Sequence, residues 1–267
     1  MTRGILLFAF QSSFDYISLT IKTATRLKHY IDLPISVITD SAELLVSSGL
    51  FDQIITVTDD ATQKKRFYNG STDYVMHEWK NSNRAMCYEL SPYDHTLVMD
   101  TDYIINSNFL LNCLDIDSDF LIFKNSCDLA GWRNTQEFQY INQFSIPFYW
   151  ATVFSFKKTK QNKIFFELVK TIRDNWDYYR LLYQILEPNF RNDFAFSIAI
   201  HILGDDFKTT FPGKIYYTKD RDFLIDSTNS SCAFLVEKQN CHGEYTPIKV
   251  NNLDVHVMNK TSIMDIL

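Results

Sequence analysis

The chain has 267 residues, a formal net charge of −6, and 46% hydrophobic against 22% charged residues, proportions that exclude a disordered polymer and allow one substantial core. The acidic balance gives no global attraction to polyanions, and the seven glycines form neither a dinucleotide fingerprint nor a P-loop. Five cysteines without a Cys-x-x-Cys pair argue against a disulfide framework or zinc knuckle and suit the reduced thiols of a cytoplasm; no apolar run has the length of a signal-peptide core or a membrane span.

In chain order, residues 4–10 read as a buried strand, followed by a polar loop at 11–13. A helix comes next, in which Ile17, Ile21, Ala24, Leu27 and Ile31 recur at helical spacing until Pro34 ends it. Residues 35–39 form a second strand that stops at Asp40, 42–48 a short helix broken by Gly49, and 54–57 a third strand. This alternation predicts a mostly parallel sheet with helices on its faces, an α/β fold. The polar segment 58–80 reads as a long loop or lid. A helix is expected over 82–90, then the turn Ser91-Pro92-Tyr93-Asp94 and a short buried strand at 96–99. Further strands are expected at 120–124 and 148–156, the second too apolar for an edge. A loop at 125–131 carries Asp128 near its centre. Residues 157–173 read as a basic amphipathic helix and 194–203 as another, with Asn192 or Asp193 as its cap. After a strand at 214–218 the remainder reads as irregular. No repeat, low-complexity tract or interdomain linker divides the chain.

The most informative stretch is Leu97-Val98-Met99-Asp100-Thr101-Asp102, an apolar strand that ends in two carboxylates. If extended geometry persists through Thr101, the two acids share a face. Asp is also common at strand ends and turns, so the triplet alone is weak. Its position at the carboxyl end of a strand in an α/β sheet is where such sheets bind ligands. Carboxylates suit Mg²⁺ or Mn²⁺, which keep positions open for water and phosphate oxygens.

The order of elements resembles the GT-A glycosyltransferase fold, a single Rossmann-like domain with a central mostly parallel sheet flanked by helices. The similarity is to its retaining branch of glycogenin-like and lipopolysaccharide galactosyltransferase-like enzymes, including phage-encoded ones. Four places carry it: Ile38-Thr39-Asp40, Asp100-Thr101-Asp102, Arg191-Asn192-Asp193 and His256-Val257-Met258-Asn259-Lys260. The resemblance implies a nucleotide-binding half at 1–105 and an acceptor-side half at 106–267 that carries a metal-binding C-terminal segment. It implies Mn²⁺ or Mg²⁺ held by Asp100, Asp102 and His256. A nucleotide-sugar donor, with a UDP-sugar favoured, would meet Phe10, Asp40, Arg84, Asp100 and Lys260, while Asp193 and Asp128 are the catalytic candidates on the acceptor side. Where the family pattern has an Asp-Gln pair, this chain has Asp193-Phe194.

Each of these residues also has a plain structural reading: Asp193 and Asp40 as helix caps, His256 as a packed strand-end histidine. The acceptor expected is a saccharide or a hydroxymethylated pyrimidine in phage DNA, the latter suggested by Lys64-Lys65-Arg66, the lysines at 157–163 and the aromatics Trp176, Tyr178, Tyr179 and Tyr183. A sugar-phosphate nucleotidyltransferase and a catalytically silent nucleotide-sugar binding module are the competing classes. Oligomeric state leaves no mark in the sequence.

Overall fold

Interior strands need side chains that are apolar on both faces, and the runs Ile35–Thr39 and His95–Met99 are buried at every position. A computed structural model describes residues 1–58, 62–69, 72–80, 83–133, 138–142, 145–204, 207 and 210–267. The start of the helix expected at 82 lies outside them. The chain opens β1 (Arg3–Ala9), α1 (Tyr16–Tyr30), β2 (Ile35–Thr39), α2 (Ala42–Val46) and β3 (Gln53–Thr56). Then come β4 (Thr62–Asn69), β5 (Asp73–Lys80), a 3₁₀ turn (Asn83–Met86), α3 (Cys87–Leu90), β6 (His95–Met99), β7 (Tyr103–Ile104) and α4 (Phe109–Cys113). The middle holds β8 (Phe120–Phe123), β9 (Ser126–Asp128), β10 (Trp150–Lys157), α5 (Lys160–Asp174), α6 (Trp176–Leu182) and α7 (Asn192–Leu203). The end comprises β11 (Ile215–Thr218), β12 (Phe223–Ser227), β13 (Ser231–Lys238), β14 (Cys241–Asn251), β15 (Val255–Val257) and α8 (Lys260–Ile266).

The central sheet runs β3-β2-β1-β6-β10-β8. β1, β2, β3 and β6 are parallel, and β10 runs antiparallel to both its neighbours. This is the α/β architecture expected, with β10 interior as its apolarity requires. The high Phe content fills the space between β8, β10, α5 and α7. There Phe165 stacks on Phe207 at 4.7 Å, and Phe154 meets Phe196 at 4.9 Å between ring centroids.

A second sheet runs β7-β15-β11-β9. β15 pairs with β7 so that His256 stands opposite Tyr103, which brings the C-terminal segment to the acids. α8 follows at once, capped by Asn259, whose side chain accepts from Ser262 N at 3.2 Å.

The structure departs from expectation in several places. The described residues of 58–80 do not form a loop as expected: β4 and β5 make a two-stranded antiparallel hairpin in register from Thr62↔Lys80 to Asn69↔Asp73. The supposedly irregular remainder contains the antiparallel sheet β12-β13-β14. The 125–131 loop contains β9. Helix α7 begins at Asn192 with Arg191 in the cap position, so neither Asn192 nor Asp193 is its cap, and no side chain caps it. Asp193 is drawn elsewhere, as described next. No helix among the described residues is long and apolar enough to cross a membrane, and the five cysteines are free.

Candidate active site

Strand β6 delivers Asp100 and Asp102 to the end of the central sheet, but the backbone turns at Thr101-Asp102 instead of continuing extended. The turn is fixed on all sides. Asp100 N donates to Thr152 O at 2.8 Å and Tyr103 N to Asp100 O at 3.2 Å; Val257 N donates to Asp102 O at 2.9 Å. The Thr23 hydroxyl of α1 donates to Thr101 O at 2.6 Å. Convergence of the two acids is thus a property of the β6–β7 turn, not of strand alternation.

One ligand atom each from Asp100, Asp102 and His256 lie within 4.8 Å of one another. Around a Mg²⁺ or Mn²⁺ with bonds of roughly 2.1 Å, neighbouring ligands stand about 3 Å apart and opposite ones about 4.2 Å, so these atoms reach a shared ion with small side-chain movements. Two carboxylates with one imidazole form a donor set for hard to borderline divalent cations. His256 turns Nε2 toward Asp102 Oδ1 at 3.5 Å, leaving the ring aimed at the acids, and its edge meets the Trp150 ring at 5.8 Å between centroids.

Two cations hold the acids. Arg84 pairs with Asp100 and also donates to Ala151 O at 2.5 Å; Lys260 pairs with Asp102. Burial works to raise the Asp102 pKa, but Lys260 and then His256 outweigh it and hold the carboxyl well below the usual range. Burial likewise works to lower Lys260, and Asp102 reverses it, so the ammonium is held above its ordinary value.

These groups line a cavity of about 370 Å³, within the range of small-ligand sites. Phe8 and Phe10 at the end of β1 form an apolar wall, and Asp193, Arg191 and Asn189 stand on another side. The Asp193 carboxylate accepts from Ala151 N at 2.9 Å and from Arg191 at 2.9 Å. The Ala151 backbone, through its N–H and its carbonyl, therefore ties Arg84 to Asp193.

Of the residues singled out from sequence, Phe10, Arg84, Asp100, Asp102, Asp193, His256 and Lys260 meet in this cavity. Asp40 and Asp128 are not among those lining it. Asp40 accepts from Gln11 N at 2.7 Å and pairs with Lys80 at 2.7 Å, joining the base of the hairpin to the ends of β1 and β2. Asp128 is fully enclosed and paired with Arg133, whose other nitrogens grip Asp222 at 2.7 Å. The cavity also contains residues that sequence reasoning passed over: Tyr16, Gln63, Lys65, Trp79 and Trp150. Only the basic run at 64–66 signalled any of them, and it pointed toward nucleic acid. Burial pushes the Tyr16 phenol up to about 12, against the opposing pull of Lys260.

No family model and no curated protein matches the chain. Among solved structures it is similar to the galactosyltransferase LgtC, crystallised with donor and acceptor sugar analogues. The identity is 15% and the TM-score 0.46, over 80% of this chain and 73% of that one. It is also similar to the glycosyltransferase GlyE of Streptococcus pneumoniae, at 14% identity and TM-score 0.42, over 79% of this chain and 45% of that one. The bifunctional IspDF of Campylobacter jejuni overlaps at 11% identity and TM-score 0.37, over 81% of this chain and 49% of that one.

Proposed function

We propose that the chain is a divalent-metal-dependent glycosyltransferase that moves a sugar from a nucleotide diphosphate sugar, by preference a UDP-sugar, to an acceptor hydroxyl. The observation that carries this reading is the meeting of Asp100, Asp102 and His256 within 4.8 Å, flanked by Arg84 and Lys260, in one cavity. When bound, Mn²⁺ or Mg²⁺ supplies Lewis acidity to the departing diphosphate. In this reading Arg84 and Lys260 give charge-assisted hydrogen bonds to phosphate oxygens. Phe8 and Phe10 present an apolar surface suited to a nucleobase or ribose face. Asp193, with both oxygens already hydrogen-bonded, is held rigidly and suits positioning an acceptor hydroxyl. A pinned carboxylate favours transfer assisted by the donor's own phosphate oxygen, and hence retention, over a freely swinging base.

The acceptor belongs to the saccharides or the hydroxymethylated pyrimidines of DNA. The DNA version loses part of its support: Trp176 is packed against Phe190 and Phe194 at 5.6 and 6.1 Å instead of offering a stacking face.

The test is release of free nucleoside diphosphate from UDP-, GDP- and TDP-sugars with Mn²⁺ or with a chelator. Metal-dependent release from one donor is expected. Pyrophosphate release from a nucleoside triphosphate and a sugar phosphate would indicate a nucleotidyltransferase instead. Metal-dependent donor binding with no turnover on any acceptor would indicate a silent binding module. With a donor identified, retention on hydroxymethylated DNA that collapses with added salt would select that acceptor, and no retention in dilute buffer would leave the saccharides.

A further inference from the structure

The hairpin β4–β5 makes no strand pairing with the other sheets among the described residues, and its attachments are side-chain contacts. Glu78 N donates to Ser13 Oγ at 2.8 Å, and Lys80 pairs with Asp40 at 2.7 Å. The buried Phe67 packs edge-on against Phe14 with ring centroids 5.0 Å apart. Strand periodicity puts residues 63, 65 and 67 on one face. Phe67 therefore seats that face against the body, and Gln63 and Lys65 reach the cavity from it, which Lys64 of the other face also lines.

Among the described residues, neither the Lys65 ammonium nor the Gln63 carbonyl oxygen has a hydrogen-bond or ion-pair partner there. Arg84, Arg191, Lys260 and Lys80 each pair with an acid, respectively Asp100, Asp193, Asp102 and Asp40. Lys65, on the inward face, has no ion pair or hydrogen bond among the described residues. Gln63 Oε1 is buried with no donor, and the Tyr16 hydroxyl across the cavity is likewise unpartnered. The Lys65 ammonium stands among the Lys260 and Arg191 charges, with Asp102 and Asp220 opposing them, and a buried carbonyl acceptor without a donor is costly. A ligand that carries anionic oxygens and hydroxyl groups answers both side chains at once. The surroundings agree: desolvation, and then the Lys260 charge, push the Lys65 ammonium down to about 8 although it keeps contact with water in the cleft.

We infer that the inward face of β4 is a donor clamp, in which Lys65 binds the diphosphate of a nucleoside diphosphate and Gln63 accepts a hydrogen bond from one of its hydroxyl or N–H groups. This rests on the reading of the cavity as a nucleotide-sugar site. It adds a phosphate contact from a separate element, and the hairpin docks beside Lys260, whose ammonium lies 6.0 Å from the Phe67 ring centroid. Ligand binding would then fasten the hairpin to the metal-side residues.

The experiment is titration calorimetry of the wild-type protein, Lys65→Gln, Lys65→Arg and Gln63→Leu, in the presence of Mn²⁺. The probes are UDP, GDP, TDP and inorganic pyrophosphate. Lys65→Gln should weaken the preferred nucleotide and pyrophosphate alike by about tenfold or more, with a shallower salt dependence, and Lys65→Arg should recover most of that loss. Gln63→Leu should weaken the nucleotide and spare pyrophosphate. Wild-type affinity in Lys65→Gln would overturn the clamp while leaving the nucleotide-sugar reading standing. Equal loss of both probes in Gln63→Leu would overturn the role of Gln63. A wild-type protein that binds none of the four probes would remove the reading and the clamp together.

Discussion

The Lys260 ammonium rests against one carboxylate oxygen of Asp102, 158 residues earlier in the chain, while the His256 imidazole approaches the other oxygen at 3.5 Å. All three side chains are nearly excluded from solvent. Removing only the anion strands buried positive charge, so Asp102→Asn should cost about 3–5 kcal/mol of stability as well as metal binding. Lys260→Met in the same chain should return much of that stability without returning the metal. Urea unfolding of the two single variants and the double variant, read as a cycle, would measure the coupling; strictly additive losses would mean the pair is not an energetic unit.

Lys260 also competes with any ion for Asp102. Without nucleotide, Lys260→Gln should bind Mn²⁺ more tightly than the wild type, by about threefold to tenfold, yet bind nucleoside diphosphate more weakly. Calorimetric titrations with Mn²⁺ alone and with Mn²⁺ plus UDP would separate the two effects. A drop in both would place Lys260 among the supports of the ion.

Two carboxyls give opposite pH dependences. Asp102 has a folded pKa below its unfolded value, so its contribution is complete above about pH 4 and fades as the medium becomes more acidic. Asp254 is the reverse: burial lifts it from 3.8 to about 6, against a hydrogen bond from Asn106 N. The unfolded chain is then the stronger acid, and stability should fall as pH rises from about 4 to 6, by about 3 kcal/mol from this group. Melting curves at pH 4, 5 and 6 should show that decline in the wild type and a flatter profile in Asp254→Asn.

Asp128 makes a discriminating control. Its carboxylate lies inside the Arg133–Asp222 cluster, away from the cavity lining. Asp128→Asn should lower the melting temperature, with donor affinity unchanged wherever the protein remains folded. A selective loss of transfer at full stability would return Asp128 to the acceptor side.

Gly4 tests the packing beneath the site. A Cβ there would collide with the Tyr93 ring, and that ring is held by a 2.6 Å hydrogen bond between its hydroxyl and Ser36 Oγ. Gly4→Ala should cost about 1–3 kcal/mol in urea unfolding. An unchanged midpoint would show that β1 and the Ser91–Asp94 turn separate easily.

The elements that were legible in the sequence are those whose burial is two-sided or periodic. β1, β2, β6 and β10 announce themselves as apolar runs, and α1 by its spacing. The hairpin hides because it borders a polar cavity: of residues 63–68 only Phe67 is buried, so no apolar alternation survives to mark it. The sheet β12-β13-β14 hides for a related reason, since β14 is exposed or half-exposed along its whole length. At the site, the acid triplet and the late histidine were visible as residue types at strand ends. The turn that joins them depends on hydrogen bonds from α1, β10 and β15, which no local window contains. Asp193 looked like a cap because its surroundings in the chain suit one, while Ala151, 42 residues earlier, claims its carboxylate.

The pairing of β15 with β7 has a bearing on how the molecule is made. Asp100 and Asp102 leave the ribosome long before residues 255–260, so a nascent chain carries Arg84 for Asp100 but neither His256 nor Lys260 for Asp102. The cluster of Asp100, Asp102 and His256 closes only when β15 slots in beside Tyr103 and Ile104, which makes its assembly a late event in biosynthesis and a report that segments far apart in the chain have folded together.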